Sequence, residues 1–171
     1  MIMAVIKIVT KGGHEILFSQ EDAARVCSES WRTKAQDKTR YARRRNAEGK
    51  DELLHNFIMG KPEDGMFWDH INRNGLDCRR ENMRISTYSQ NNANRRINTK
   101  NTSGYRGVRE TKEGKWRAEI KVNSKKISLG SYWDIIEAAK AYDTASLKYF
   151  GEFANLNFPL DNQLNSVIIK Q

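Results

Sequence analysis

The segment Lys115-Trp116-Arg117-Ala118-Glu119-Ile120-Lys121-Val122 alternates between polar and apolar side chains along its whole length. Successive side chains of a β-strand point to opposite faces, so this segment predicts a strand with one apolar face and one charged face. Residues 105–109 and 126–132 are also strand-like, and turn-forming residues separate the three segments at 112–114 and 123–125. Together they predict a three-stranded antiparallel meander.

A helix is predicted directly after this meander. Asp134-Ile135-Ile136-Glu137 is a capping box with aspartate as the cap, and Gly151 is placed to end the helix. The apolar residues between them recur at helical spacing: Ile135, Ala138, Ala139, Tyr142, Ala145 and Tyr149. This amphipathic helix is expected to cover the apolar sheet face, which leaves the basic face free, extended by Lys126 and Ser128 of the third strand.

Motifs spread over residues 103–159 resemble the plant APETALA/ethylene-response-factor DNA-binding domain. They are Ser103-Gly104-Tyr105-Arg106-Gly107-Val108-Arg109, Gly114-Lys115-Trp116-Arg117-Ala118-Glu119-Ile120, Leu129-Gly130-Ser131-Tyr132, Glu137-Ala138-Ala139-Lys140-Ala141-Tyr142-Asp143 and Asn157-Phe158-Pro159. The resemblance implies a DNA-binding domain over residues 104–159 that reads the major groove with its sheet.

The resemblance also implies which residues contact DNA: Arg106, Arg109, Glu119, Lys121 and Lys126, the two lysines replacing the usual arginines. Lysine keeps the charge but loses the two-pronged geometry of arginine. Strand alternation adds Lys115 and Arg117 to the same face. Further contact positions are occupied by Thr111, Glu113 and Ser128, so the base preference of the plant factors is not expected to carry over.

Aspartate, histidine, asparagine and arginine side chains are concentrated in the segment Trp68-Asp69-His70-Ile71-Asn72-Arg73-Asn74-Gly75-Leu76-Asp77. It is followed by Arg79-Arg80-Glu81-Asn82-Met83-Arg84-Ile85 and by Gln90-Asn91-Asn92-Ala93-Asn94-Arg95. The order and spacing resemble an HNH nuclease of the homing-endonuclease type. The resemblance implies a ββα-metal module within residues 53–97, with strands at 66–71 and 83–87 and a helix opening at 89–96.

Asp69 and His70 are neighbours in a predicted strand, so their side chains point to opposite sides and cannot easily bind one ion together. The resemblance implies that Asp69 and Asn91 hold one Mg²⁺ or Mn²⁺, that His70 is the general base, and that Asn82 orients its imidazole. Oxygen donors suit a hard divalent ion, and histidine has a pKa suited to proton transfer.

Three positions near this set stay open. Asn94 lies one helical turn beyond Asn91 and is an alternative ligand. His55 matches a recurrent upstream histidine, for which a structural role or a phosphate contact is favoured over metal binding. Cys78 stands where related sequences usually have asparagine, and a small buried filler is favoured over a nucleophile.

The remaining segments are less specific. Residues 1–52 combine short apolar runs with basic stretches such as Arg43-Arg44-Arg45 and predict strands, whose basic face is either simply solvated or a DNA backbone contact. Residues 98–103 are polar and non-periodic, as in a linker, and residues 160–171 form a tail with no assigned position.

A formal charge of +9 and a pI near 9.6 favour a polyanionic partner. Double-stranded DNA is the expected partner, bound by a monomer without an obligate protein partner. No apolar run approaches the roughly 18 residues of a membrane span, and no secretion signal is recognised. Two distant cysteines, Cys27 and Cys78, imply no disulfide framework and fit the cytoplasm of a bacterial or phage-infected cell.

These patterns predict an α+β protein that is a site-specific, homing-type endonuclease. One site per chain predicts nicking of one strand per monomer. The main alternative is a DNA-binding transcriptional regulator with an inactive HNH module. RNA binding is a weaker alternative, because Trp116 is expected on the helix side of the sheet and is not free to stack on bases.

Overall fold

The computed structural model describes residues 5–36, 39–98 and 100–159. It is an α+β structure with several small antiparallel sheets and few helices. Contacts divide the chain into two compact units, Met1–Tyr88 and Ser89–Gln171. The predicted tail, residues 160–171, and Thr99 of the predicted linker lie outside the described residues.

The first unit contains three small antiparallel sheets, which are β1 paired with β2, β3-β4-β5, and β6 paired with β7. Its elements are β1 (Val5–Val9), β2 (Glu15–Ser19), α1 (Ala23–Cys27), β3 (Arg32–Gln36), β4 (Thr39–Arg45), β5 (Asp51–Leu53), α2 (Leu54–Met59), β6 (Met66–His70) and β7 (Met83–Thr87). The strands predicted at the N-terminus and at 66–71 and 83–87 are therefore present, within a residue at their ends.

The core of the first unit forms where β2, α1 and α2 meet. Ile16 and Phe18 of β2, Val26 of α1 and Leu54 of α2 are all fully buried. Burying an aliphatic or aromatic side chain contributes about 1.5–3 kcal/mol each, so this cluster supplies much of the driving force for folding the unit. Leu54 at the start of α2 fixes the position of the next residue, His55.

The second unit is a three-stranded antiparallel sheet of order β10-β9-β8, covered by one long helix. Its elements are α3 (Tyr88–Asn94, beginning at the division between the units), β8 (Val108–Glu110), β9 (Trp116–Val122), β10 (Lys125–Tyr132) and α4 (Ile135–Phe150). Ala93 of α3 joins Ile120 of β9 and Tyr142 of α4 in the core of this unit.

The alternation predicted for β9 is present. Ala118 and Ile120 are buried against α4, whereas Arg117 and Lys121 are exposed on the other face. The predicted helix start is also confirmed, because the Asp134 carboxylate accepts a hydrogen bond of 2.9 Å from the Ile136 amide. Capping of this kind satisfies one of the amides that have no partner within the helix.

The first strand of this sheet is shorter than the sequence predicts. Residues 105–109 were expected to be a strand, but β8 begins at Val108 because Gly107 has a φ of 70°, outside the extended region. A Cβ at Gly107 would lie 2.0 Å from the Tyr142 ring, so only glycine lets the chain pass this close to α4. The pattern of apolar residues did not reveal this turn.

The predicted nuclease module, residues 53–97, extends across the division after Tyr88, and its boundaries stay predictions. Among the described residues, no helix combines the length and apolar character needed to cross a membrane.

Candidate functional site

Asp69 and His70 occupy the end of β6, where the strand pairs with β7. Asp69 lies opposite Arg84, and His70 lies opposite Met83. Because successive residues of a strand face opposite sides, the carboxylate and the imidazole are directed apart. Both side chains are nonetheless buried, with Asp69 4% and His70 6% exposed.

The Asp69 carboxylate faces a cation. Arg84 Nε donates a hydrogen bond of 2.9 Å to Asp69 Oδ2, and both side chains are largely buried. This cross-strand pair compensates the charge of a carboxylate that would otherwise be costly to bury. Arg84 therefore holds the Asp69 side chain in place on one face of the hairpin.

His70 lies among aromatic and sulfur-containing side chains on the other face. Its ring centroid is 5.3 Å from that of His55 on α2 and 5.8 Å from that of Tyr41 on β4. The thiol sulfur of Cys78 is 3.8 Å from His70 Nε2. His55 and Cys78 are also buried, so α2, β4 and the loop that contains Cys78 all contact this imidazole.

Burial shifts the acid–base properties of this cluster. Desolvation lowers the pKa of His70 to about 4, although the negative charge of Asp77 partly opposes the shift. Desolvation and the nearby His70 lower the pKa of His55 to about 3. Both imidazoles are therefore neutral at neutral pH, the form that can accept a proton or bind a metal ion.

Asn82 holds the loop that follows His70. Its Oδ1 accepts a hydrogen bond of 3.0 Å from the Asn72 amide, and its Nδ2 donates to the Asp77 carbonyl at 2.7 Å. Asp77 in turn accepts two hydrogen bonds from the Arg79 guanidinium, at 2.7 and 2.8 Å. Asn82 thus fixes backbone close to the imidazole, while its predicted role of orienting the ring stays a prediction.

The predicted metal ligands Asn91 and Asn94 lie on α3. Asn91 is half-buried, and Asn94 is buried with its backbone carbonyl accepting a 3.1 Å hydrogen bond from Asn155 Nδ2. The Asp69 carboxylate and an asparagine amide both offer oxygen donors, which fit a hard divalent ion. Asp69 and Asn91 belong to different units, so their joint binding of one ion stays a prediction.

The outward face of the second-unit sheet carries most of the predicted DNA contacts. Glu119 lies between two cations, 3.5 Å from Arg109 and 3.2 Å from Lys126. Arg117 and Lys121 are exposed beside this triad, and Lys115 Nζ lies 4.6 Å from the centre of the Trp133 ring. This face is therefore rich in cations, although Glu119 neutralises part of the charge.

Arg106 makes hydrogen bonds to backbone and side-chain groups of its own unit. Its guanidinium donates to the Arg95 carbonyl, and its amide donates to Asn157 Oδ1 at 2.6 Å. Asn157 is itself held by Asp143 of α4. Arg106 thus helps to tie residues before and after the sheet together, a role that the sequence did not indicate.

The basic run Arg43-Arg44-Arg45 of β4 is largely paired with acidic residues. Arg43 donates to Asp51 at 2.9 Å, and Arg44 donates to Glu52 at 2.9 Å while stacking on Phe57. The Arg43 and Arg44 side chains are mostly buried, whereas Arg45 is exposed. Of these three arginines, Arg45 is the one best placed to meet an external phosphate.

Sequence reasoning did not anticipate that His55, His70 and Cys78 lie together. In the HNH resemblance His55 is a recurrent position and Cys78 a departure, but no spacing rule connects a helix, a strand end and a loop. Their association depends on packing of the first unit. Both cysteines are free thiols, with Cys27 exposed and Cys78 buried.

No family model matches the chain. An ethylene-responsive transcription factor of Arabidopsis thaliana is 45% identical over 64 residues, which cover 36% of this chain and 33% of the plant protein. Another ethylene-responsive transcription factor, from Medicago truncatula, is 42% identical over 72 residues, covering 41% of this chain and 30% of that protein.

A viral protein is similar over a longer part of the chain. An uncharacterized HNH endonuclease of Acanthamoeba polyphaga mimivirus is 30% identical over 109 residues, which cover 61% of this chain. The chain spans 56% of the length of that viral protein and about a third of the length of the plant proteins. The chain is thus similar in part to plant ethylene-responsive transcription factors and in part to a viral HNH endonuclease.

Proposed function

We propose that this protein is a site-specific DNA endonuclease of the HNH type, which binds duplex DNA through the second-unit sheet and nicks one strand. The observation that carries the proposal is the pair at the end of β6, where a buried carboxylate and a buried, neutral imidazole face opposite sides. The similarity to a viral HNH endonuclease supports the same chemistry.

His70 is the group that moves the proton in this proposal. Its neutral imidazole accepts the proton of the water that attacks the phosphodiester, and its place at a paired strand end keeps it fixed during the transfer. Asn82 holds the following loop in register. A hard divalent ion bound by Asp69 and Asn91 would supply positive charge to the leaving 3′ oxygen.

Arg84 holds the Asp69 carboxylate in place through a hydrogen bond from the neighbouring strand. The same proposal includes a homing-type role. Because each chain carries one Asp69-His70 pair, it also includes one ion per site and action as a monomer.

A second candidate is a DNA-binding regulator whose nuclease module is inactive. The observation that favours it is the similarity to plant transcription factors, together with the engagement of Asp69 by Arg84. In this case the outward sheet face still binds duplex DNA, and no phosphodiester is hydrolysed.

A supercoiled-plasmid assay separates the two candidates. Wild-type protein is incubated with Mg²⁺ or Mn²⁺, beside His70→Ala and the matched control His14→Ala, since His14 lies in the turn between β1 and β2. We expect metal-dependent conversion to the nicked circle by wild type and His14→Ala, and a loss of at least about 100-fold in His70→Ala. Equal rates in all three proteins would refute His70 as the base.

A further inference from the structure

The cluster of His55, His70 and Cys78 has the composition and spacing of a metal site different from the one described above. One ligand atom from each residue lies within 4.8 Å of the others, and the Cys78 sulfur and His70 Nε2 are 3.8 Å apart. Around a tetrahedral zinc ion, nitrogen and sulfur donors lie about 3.5 Å from one another, given their usual bond lengths. Small side-chain rotations therefore bring all three donors to ligand distance.

The backbone holds each donor in place. His55 follows the fully buried Leu54 on α2, and His70 ends β6. The Cys78 amide donates a 2.8 Å hydrogen bond to the Leu17 carbonyl, and the Leu17 amide donates to the Leu76 carbonyl at 2.9 Å. Because packed segments of the first unit carry the three donors, the side chains lose little conformational freedom when an ion binds. This favours a preorganised metal site over a chance cluster.

We propose that His55, His70 and Cys78 together bind one zinc-class ion. The proposal has a consequence that rests on the proposed function: an ion on His70 occupies the lone pair that accepts the proton, so the nuclease is inhibited.

The binding step balances in atoms and charge. Both imidazoles are neutral and bind without losing a proton, whereas the Cys78 thiol transfers its proton to solvent as the sulfur–metal bond forms. A divalent ion with one thiolate leaves one net positive charge at the site. The carboxylate of Asp77, whose charge already acts on both His70 and Cys78, offsets part of that charge.

Donor chemistry separates this site from a magnesium site. Imidazole and thiolate donors favour zinc, cobalt or copper ions, whereas magnesium prefers oxygen. Asp69 faces the other side of β6 and contributes nothing here. Magnesium is therefore expected to leave the histidine and cysteine cluster empty while zinc fills it.

Cobalt spectroscopy of the full chain tests binding directly. Metal-free protein is titrated with Co²⁺, and we expect one equivalent to produce a thiolate-to-cobalt charge-transfer band that Zn²⁺ then abolishes. The band should persist in Cys27→Ser, which removes the exposed thiol, and disappear in Cys78→Ser, with cobalt affinity reduced by about tenfold or more. Absence of the band in wild type, or its persistence in Cys78→Ser, would overturn the proposal.

Inhibition by zinc is measured in each protein as the nicking rate with Mg²⁺ alone divided by the rate with Mg²⁺ plus one equivalent of Zn²⁺. We expect this ratio to be large for wild type and Cys27→Ser but near one for Cys78→Ser. A cobalt band without nicking under any condition would refute the nuclease and leave the metal site intact. Nicking without a cobalt band would refute the metal site alone.

Discussion

Arg84 is the residue on which the position of Asp69 most depends. The pair is buried on both sides, and removal of one partner leaves an uncompensated charge in a site of low polarity. We expect Arg84→Gln to lower the free energy of unfolding of the first unit by about 3 kcal/mol. Urea unfolding monitored by exchange of β6 and β7 amides measures the loss.

The exposed pair between Lys7 and Glu15 is the matched control. Its atoms are also 2.9 Å apart, but both side chains are more than half exposed, so Lys7→Gln should cost less than about 1 kcal/mol. Similar losses in the two variants would contradict the importance assigned to burial of the Asp69 and Arg84 pair.

His55 and His70 make stability depend on acidity. Their folded pKa values, about 3 and about 4, lie below the ordinary histidine value of 6.5. The unfolded chain therefore binds more protons than the folded chain at pH values between these limits. Stability is therefore full above pH 6.5 and falls as the pH decreases toward 4 and 3. Urea midpoints of metal-free protein should decrease across this window.

The variant His55→Gln removes one of the two titrating groups. Its midpoint should therefore change less steeply with pH than that of wild type, whatever its stability at neutral pH. Parallel pH profiles for the two proteins would show that His55 does not titrate as its burial implies.

Among the elements, β8 and β9 depend on a turn that only glycine permits. In Gly107→Ala, the new methyl group would meet the Tyr142 ring and the Glu119 carbonyl in a backbone with positive φ. We expect a loss of about 3 kcal/mol or more, combining strain with overpacking. Gly114→Ala is the control, because its φ is 74° but nothing lies within 4 Å, and it should cost about 1 kcal/mol.

Exchange of β9 amides in urea reports on both glycine variants. A loss in Gly107→Ala no larger than that in Gly114→Ala would contradict the close approach of the turn to α4.

The outward face of β9 carries the DNA-binding prediction. Lys121→Ala removes one exposed cation, so duplex affinity should fall several-fold and the slope of log affinity against log salt should decrease by about one. Lys140→Ala, on the exposed side of α4, is the control and should change neither. Fluorescence anisotropy over a salt series measures both quantities, and equal effects at the two positions would refute the sheet face as the binding surface.

The elements also show what the sequence could and could not predict. The β9 alternation and the Asp134 cap were predicted because they depend on local periodicity and local hydrogen bonding. The late start of β8 was not, since it results from contact between Gly107 and a helix residue 35 positions later, Tyr142. The pairing of Asp69 with Arg84 was not predicted either, because it depends on the register between β6 and β7, and the residue pattern of one strand does not determine that register.

At the scale of the whole molecule, the two units have separate cores. Ile16 and Phe18 belong to the core of the first unit, and Ile120 and Tyr142 to that of the second. The sequence predicts nuclease chemistry in residues 53–97 and DNA binding in residues 104–159. It did not predict the division after Tyr88, because Ala93 of α3 packs with the second unit through contacts that are distant in sequence.

The central claim is that one chain both binds a duplex and cuts it. Duplex sites selected by binding to wild type are placed in a supercoiled plasmid, and cleavage is mapped on each strand with Mg²⁺ or Mn²⁺. We predict a nick in one strand at a fixed distance from the selected site, lost in His70→Ala while binding is retained. Retained binding by wild type without cleavage under either metal would contradict the account and leave a DNA-binding regulator.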